Sequence, residues 1–260
     1  MIVHVRRARL AALLGIIGLT VAWPAWAQTR QAISIRGHEQ TLYVYGSPGG
    51  DPVIVSSGDG GWIHLGPAVA ELLGSRGFFV IGFDARAYLS GFTTGQSTLR
   101  VEDVPADFSV LVQYARARAG RKPMLVGVSE GAGLSILAAS DARMKSEIAG
   151  VIALGLPDRN ELGWRLKDSV IYFTHRTPNE PTFNASSIID RVAPLPVAAI
   201  HSTSDEFVPL PEIQRILSHA REPKHLWIVK ASNHRFSDNQ PDFDRRLLEA
   251  IAWVKQNSPR

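Results

Sequence analysis

Residues 123–139 read Pro-Met-Leu-Val-Gly-Val-Ser-Glu-Gly-Ala-Gly-Leu-Ser-Ile-Leu-Ala-Ala. Pro123 opens a short apolar run, Met124 to Val126, of the kind that forms a buried strand, and Leu134 to Ala139 begin a helix rich in small residues. Between them lies Gly127-Val128-Ser129-Glu130-Gly131. A G-x-S-x-G string at a strand-to-helix junction reads as a nucleophile elbow, a strained turn that lifts the serine hydroxyl clear of the sheet. Gly127 and Gly131 flank the serine because strand and helix pass too close there for a Cβ, and Ala132 and Gly133 extend the small-residue surface. The string alone is weak and arises by chance in unrelated chains. Its single occurrence, its position at a junction, and acid and base candidates later in the chain give it weight.

On either side the chain alternates strands and helices. Ile33-Ser-Ile and Thr41-Leu-Tyr-Val-Tyr predict an N-terminal antiparallel hairpin, and Val53-Ile-Val-Ser a short β-branched strand. A helix is expected over Leu65–Ser75, stopped by Arg76-Gly77, then a buried strand Phe78–Phe83 ending at Asp84. Asp103 and Asp107 lie near the start of a helix running to about Ala119, closed by Gly120. After the elbow come a strand over Ile148–Leu154, a strand Pro196–Ile200, a helix Pro211–His219, a strand His225–Val229 and a final helix from Phe243 to about Lys255. Buried strands that are apolar throughout, interleaved with helices, imply an α/β chain with a mostly parallel sheet covered on both faces. Gly155–Pro194 breaks the rhythm, with an extra strand suggested at Ser169–Thr174. It reads as an insert over the site or as a long connection, and the insert is favoured. With no linker visible, residues 28–260 are expected to form one domain.

Residues 1–27 have the layout of a cleaved export signal: Arg6, Arg7 and Arg9, an apolar Leu10–Val21, and Ala25-Trp26-Ala27 before Gln28. A periplasmic or secreted protein is expected. Removing the three leader arginines leaves 25 Lys+Arg against 24 Asp+Glu, a net of +1. Bulk charge therefore gives no footprint for nucleic acid. The chain has no cysteine, which excludes disulfides, lipoprotein attachment and thiolate chemistry. The histidines show no ligand spacing, so neither metal nor cofactor is expected.

A serine needs a base, and the base needs an acid to fix its tautomer. Asp205, in His201-Ser-Thr-Ser-Asp-Glu-Phe-Val-Pro209, follows one predicted strand, and His234, in Ala231-Ser-Asn-His-Arg-Phe236, follows the next. Both then lie at the carboxyl edge of the sheet, where ligands bind in such folds. Ser129, Asp205 and His234 are thus the catalytic candidates. The plainer alternatives are a helix cap for Asp205 and an exposed loop residue for His234; Glu206 is an alternate acid or a solvated neighbour, and His201 a rival base. Acyl transfer also needs donors for the oxyanion. The N–H of Glu130 supplies one, and Asp59 or Gly60, in Ser57-Gly-Asp-Gly-Gly-Trp62, the other, unless that loop is only a glycine turn. The Asp59 carboxylate is expected to point away, capping the helix after Trp62.

Together these residues resemble the α/β-hydrolase superfamily over nearly the whole chain after the leader. Ser57-Gly-Asp-Gly-Gly-Trp62, Gly82-Phe-Asp-Ala-Arg-Ala-Tyr88 and the elbow resemble the VirJ/AcvB-type bacterial virulence proteins, which are exported. The resemblance implies an α/β-hydrolase fold, triad roles for Ser129, Asp205 and His234, and hydrolysis of an ester, with an aminoacyl-lipid ester as one suggested substrate. The elbow departs from that group at Glu130, where an aromatic is usual, and at Gly133, where an acid is usual. Glu130 either favours a cationic substrate or faces solvent. Trp62 and Tyr88 are the aromatic candidates for the pocket wall, with ordinary packing or exposure an equal alternative for each. The implied partner is a small-molecule or lipid ester, with transient membrane-surface contact and an open oligomeric state. An amidase or peptidase uses the same parts, and a non-catalytic envelope binding protein is the rival from another class.

Overall fold

A computed structural model describes residues 28–166 and 180–259. Ten strands and six α-helices alternate along these residues. The hairpin forms as predicted: β1 (Thr29–Ile35) pairs antiparallel with β2 (His38–Tyr45) across a turn at Arg36-Gly37. Then come β3 (Pro52–Ser56), α1 (Leu65–Ser75), β4 (Phe79–Phe83), α2 (Ala85–Phe92), α3 (Asp103–Ala119), β5 (Met124–Val128), α4 (Glu130–Ser140) and β6 (Gly150–Leu154). Two three-residue strands, β7 (Arg159–Glu161) and β8 (Thr182–Asn184), form a separate small antiparallel sheet. The chain closes with β9 (Val197–Ser202), α5 (Leu210–His219), β10 (Lys224–Val229) and α6 (Gln240–Asn257).

The main sheet has eight strands in the order β1-β2-β4-β3-β5-β6-β9-β10. The six strands from β4 to β10 run parallel, and the hairpin adds two antiparallel strands at one edge. The inner strands β3, β5, β6 and β9 are buried at every position, which is why they read as unbroken apolar runs. Two cores result. On one face α2, α3, α4 and α5 pack through residues such as Leu89, Phe108, Leu134 and Ile213; on the other, α1 and α6 pack through Val69, Leu73, Leu247 and Val254. The fold class expected from the sequence is therefore the one observed.

The register sets up the site. Ser56 lies beside Gly127, Val128 beside Leu154, Leu154 beside Ile200, and Ser202 beside Val229. The carboxyl ends of β3, β5, β6, β9 and β10 therefore stand in one row, and the loops leaving them share one edge of the sheet.

Differences from expectation are local. Helix α2 is absent from the sequence reading; Asp84 starts it by accepting from the Ala87 N–H with Oδ1 (2.9 Å) and ties it to the preceding loop by accepting from the Trp62 N–H with Oδ2 (3.1 Å). Strand β9 runs two residues beyond Ile200 because β10 pairs with it through Ser202. The expected strand at Ser169–Thr174 and the leader 1–27 lie outside the described residues. Among the described residues no helix is long and apolar enough to cross a membrane.

Tyr88 is fully buried, with its hydroxyl donating to Asp107 Oδ2 (2.6 Å). Arg36, in the hairpin turn, donates to both Asp107 oxygens at 2.7 Å. This buried junction joins hairpin, α2 and α3, so Tyr88 is a structural residue and not part of a pocket wall. Trp62 stacks on Tyr43 with ring centroids 4.8 Å apart and fills the space over Gly82, where a Cβ would come within 2.2 Å of the indole. It packs with the α1 core cluster and does not line the cleft at the strand ends, so this pocket-wall expectation is also corrected.

Candidate active site

The row of strand ends opens into a cleft of about 610 Å³. Ser129, Glu130, Asp59, Gly60 and His234 all line it. Ser129 joins β5 to α4 with φ 50° and ψ −117°, a backbone conformation that L residues rarely adopt. Its N–H donates to the Leu154 carbonyl (2.8 Å), and its side chain stays partly open to the cleft. The flanking glycines are dictated by contact. A Cβ on Gly127 would sit 2.2 Å from the Gly131 carbonyl oxygen, and one on Gly131 would sit 2.3 Å from the Ser57 carbonyl oxygen. Gly133 leaves room for the buried Asn160 side chain, which a Cβ would meet at 1.8 Å.

The glycine loop after β3 lies directly against this turn, with the Cβ position of Gly58 3.3 Å from Ser129 Cβ. Ser57 anchors it, accepting from the Ala85 N–H with Oγ (3.1 Å). The expected helix cap by Asp59 is not made: α1 starts at Leu65 with no side-chain cap, and Asp84 holds the Trp62 N–H instead. Asp59 lies close enough to Glu130 to disfavour its ionisation.

Asp205 and His234 meet. His234 Nδ1 lies 2.6 Å from Asp205 Oδ2, and the Phe207 and Val208 N–H groups donate to Oδ1 (2.9 and 2.8 Å). Because a carboxylate accepts here, Nδ1 carries the proton and Nε2 presents its lone pair. Burial opposes ionisation of Asp205, but the His234 hydrogen bond and charge and the two main-chain donors outweigh it and hold the carboxyl below the usual range. Ser129 and His234 line the same cleft, and among the described residues no hydrogen bond joins them. Resting sites commonly tighten that contact only when substrate is bound.

The rival base is corrected. His201 lies inside β9, wholly buried, with Nε2 2.8 Å from the Val208 carbonyl and 3.9 Å from Asp205 Oδ2. Burial depresses its basicity, and it does not line the cleft. Glu206 is more than a solvated neighbour: its Oε2 accepts from the main-chain N–H of His234 (2.7 Å).

Glu130 does not face solvent. Its carboxyl is buried at the cleft floor, where Oε1 accepts from the Glu161 N–H (2.6 Å). Burial, then the nearby Glu161 and Asp59 charges, push its pKa well above the ordinary carboxylate range. A carboxyl raised in the folded state adds stability at low pH that is lost as pH rises through its folded pKa. Glu130→Gln is therefore expected to flatten the fall in melting temperature that the wild type should show as pH rises above the ordinary carboxylate range. Thermal melts from about pH 5 to pH 9 check this, and parallel curves for the two proteins would refute it.

Two residues escaped the sequence reading. Gly155, at the end of β6 with φ 59°, faces the imidazole: a Cβ there would lie 2.5 Å from His234 Cε1. Its sequence signal was a glycine ending a buried strand. Gly155→Ala is expected to displace the ring and cut turnover by about 10- to 100-fold with little change in KM; steady-state kinetics measure it. Arg159, on β7, lines the cleft, as do Pro157 and Glu161. Part of the segment 155–194 thus contributes to the cleft wall.

Residues 51–175 match the family model described as bacterial virulence protein (VirJ). That match spans the glycine loop and Ser129 and ends before Asp205 and His234. No curated protein matches the chain. Among solved structures, an esterase of Pyrococcus furiosus is similar at 18% identity, with 87% of this chain and 91% of that one covered and a TM-score of 0.66. A membrane phospholipase A described as a novel bacterial virulence factor is 12% identical, with 88% and 87% covered and a TM-score of 0.64. A monoacylglycerol lipase of Paleococcus ferrophilus is 19% identical, with 84% and 99% covered and a TM-score of 0.59. At these identities the likeness establishes the fold.

Proposed function

We propose that this chain, which has the α/β-hydrolase fold and resembles the bacterial virulence protein family VirJ over residues 51–175, is an exported serine hydrolase that cleaves an ester through an acyl-enzyme. The observation that carries the reading is the 2.6 Å contact between His234 Nδ1 and Asp205 Oδ2 in the cleft that Ser129 also lines. In the proposed reaction Ser129 Oγ attacks the ester carbonyl while His234 Nε2 takes its proton. Asp205 keeps Nδ1 protonated and stabilises the imidazolium. The N–H of Glu130, with that of Asp59 or Gly60, receives the oxyanion. His234 then protonates the departing alcohol, and water repeats the sequence to free the acid.

The neighbouring structures named as esterase, phospholipase and lipase support an ester or lipid substrate. The acyl-lipid or aminoacyl-lipid class is part of this proposal, as is export by the leader, with cleavage after Ala27. The strained serine turn between β5 and α4 supports reading it as a nucleophile elbow.

The test is a panel of esters of graded chain length together with phospholipids and aminoacyl lipids. The protein beginning at Gln28 is compared with Ser129→Ala. Hydrolysis of at least one class, abolished in the variant, is expected; turnover that survives in Ser129→Ala, or none by folded wild type, would count against the proposal.

A further inference from the structure

Asp205 and Glu206 are consecutive, and both reach the same residue on another loop. Asp205 accepts from the ring Nδ1 of His234 at 2.6 Å, and Glu206 Oε2 accepts from the His234 main-chain N–H at 2.7 Å. The turn after them makes this possible: the Phe207 and Val208 N–H groups on Asp205 Oδ1 fold the chain so that neighbouring side chains serve one partner.

The loop carrying His234 is held at its start by the acid loop, where the Ala231 carbonyl accepts from the Ser202 and Thr203 hydroxyls (2.8 and 3.0 Å) and the Ser204 N–H (3.2 Å), and beyond that by its own bonds. Asn233 Oδ1 accepts from the Arg235 and Ser237 N–H groups, and Asp238 accepts from the Ser232 N–H. The Ala231 bonds fix the base of the loop against the acid loop, and the Asn233 and Asp238 bonds fix its shape. Glu206 adds the tie at His234 itself, three residues beyond those bonds. Unlike Asp205 it is exposed, and it lines the cleft that His234 also lines.

We propose that Glu206 is a positioning residue: its carboxylate holds the His234 main chain in register with Asp205, and its charge favours the imidazolium that forms when His234 takes the Ser129 proton. This rests on the proposed roles of Ser129 and His234. Other groups around the imidazole are Asp205 from the acid loop, His201 from β9, Arg235 in its own loop and Glu130 at the floor; Gly155 contributes no charge. None of these is altered by substitution at Glu206 alone.

Glu206→Ala removes both acceptor and charge; Glu206→Gln keeps an acceptor and removes the charge. Glu206→Ala is expected to lower kcat by about tenfold or more with KM nearly unchanged. Glu206→Gln should restore most of kcat. Removing the negative charge disfavours the imidazolium, so the acid limb of the Glu206→Gln profile should move to lower pH. A merely structural carboxylate would leave that limb in place.

The same shift is read without catalysis by NMR titration of the His234 ring in the Ser129→Ala background. A kcat for Glu206→Ala within twofold of wild type, or an unshifted His234 titration in Glu206→Gln, overturns the proposal. Absence of turnover by wild type defeats the enzyme reading separately, and the ring titration then still decides what Glu206 does.

Discussion

Replacing His234 by alanine is expected to lower ester turnover by about four orders of magnitude at neutral pH. The serine hydroxyl is a weak nucleophile unless a base takes its proton during attack. His201, whose Nε2 lies 3.9 Å from Asp205 Oδ2, cannot substitute: it is wholly buried in β9 and that nitrogen is engaged by the Val208 carbonyl. The proposed oxyanion donors and the cleft remain in the variant, so residual activity should stay above the uncatalysed rate. Asp205 loses its ring partner but keeps the Phe207 and Val208 N–H groups, so the fold should persist with a modest loss of stability. Stopped assays on an activated ester, with a thermal melt on the same sample, measure both. Turnover within tenfold of wild type in a folded His234→Ala protein would remove His234 from the role of base.

The second large effect falls on folding. In Gly127→Ala the new methyl would lie 2.2 Å from the Gly131 carbonyl oxygen and 2.4 Å from the Ala132 main chain. Those atoms are backbone at the first turn of α4 and cannot rotate aside as a side chain can. Helix and strand must separate, and α4 is buried along nearly its whole length, with ten of its residues in the core from Glu130 to Ala139. Overpacking against rigid neighbours typically costs 1–3 kcal/mol and more where nothing yields, so a loss of about 3 kcal/mol or more is expected. That is a large share of a stability of roughly 5–15 kcal/mol. Chemical denaturation of wild type and variant decides it: equal midpoints would mean that strand and helix leave room for a methyl group between them.

Much of the fold was legible because its inner strands are apolar on both faces and are bounded by glycine, proline and aspartate. Helix α1 begins and ends where the sequence placed it, and Gly120 ends α3 with φ 66°, as a glycine stop requires. Helix α2 was not legible: it has eight residues, and its one strong signal, Asp84 at its start, resembles any loop aspartate. The three residues proposed to carry the chemistry were legible for a related reason. Each follows a recognisable strand, and parallel strands bring their carboxyl ends to one edge.

Wall residues were a different matter. Trp62 and Tyr88 are aromatic candidates for the pocket in the sequence, yet Gly82 opens a slot that takes the indole and Asp107 draws the phenol into the core. Such choices depend on three bodies from distant parts of the chain. Glu130 and Glu206 were visible as acids, but their roles follow from which main-chain N–H each accepts, Glu161 for one and His234 for the other.

The central claim is that Ser129 is a nucleophile activated where these loops converge. Intact-mass analysis after exposure to a fluorophosphonate tests it most directly. One adduct, mapping to Ser129 and absent from Ser129→Ala, is predicted; a folded wild-type protein that takes up none, or an adduct that persists in the variant, would contradict it.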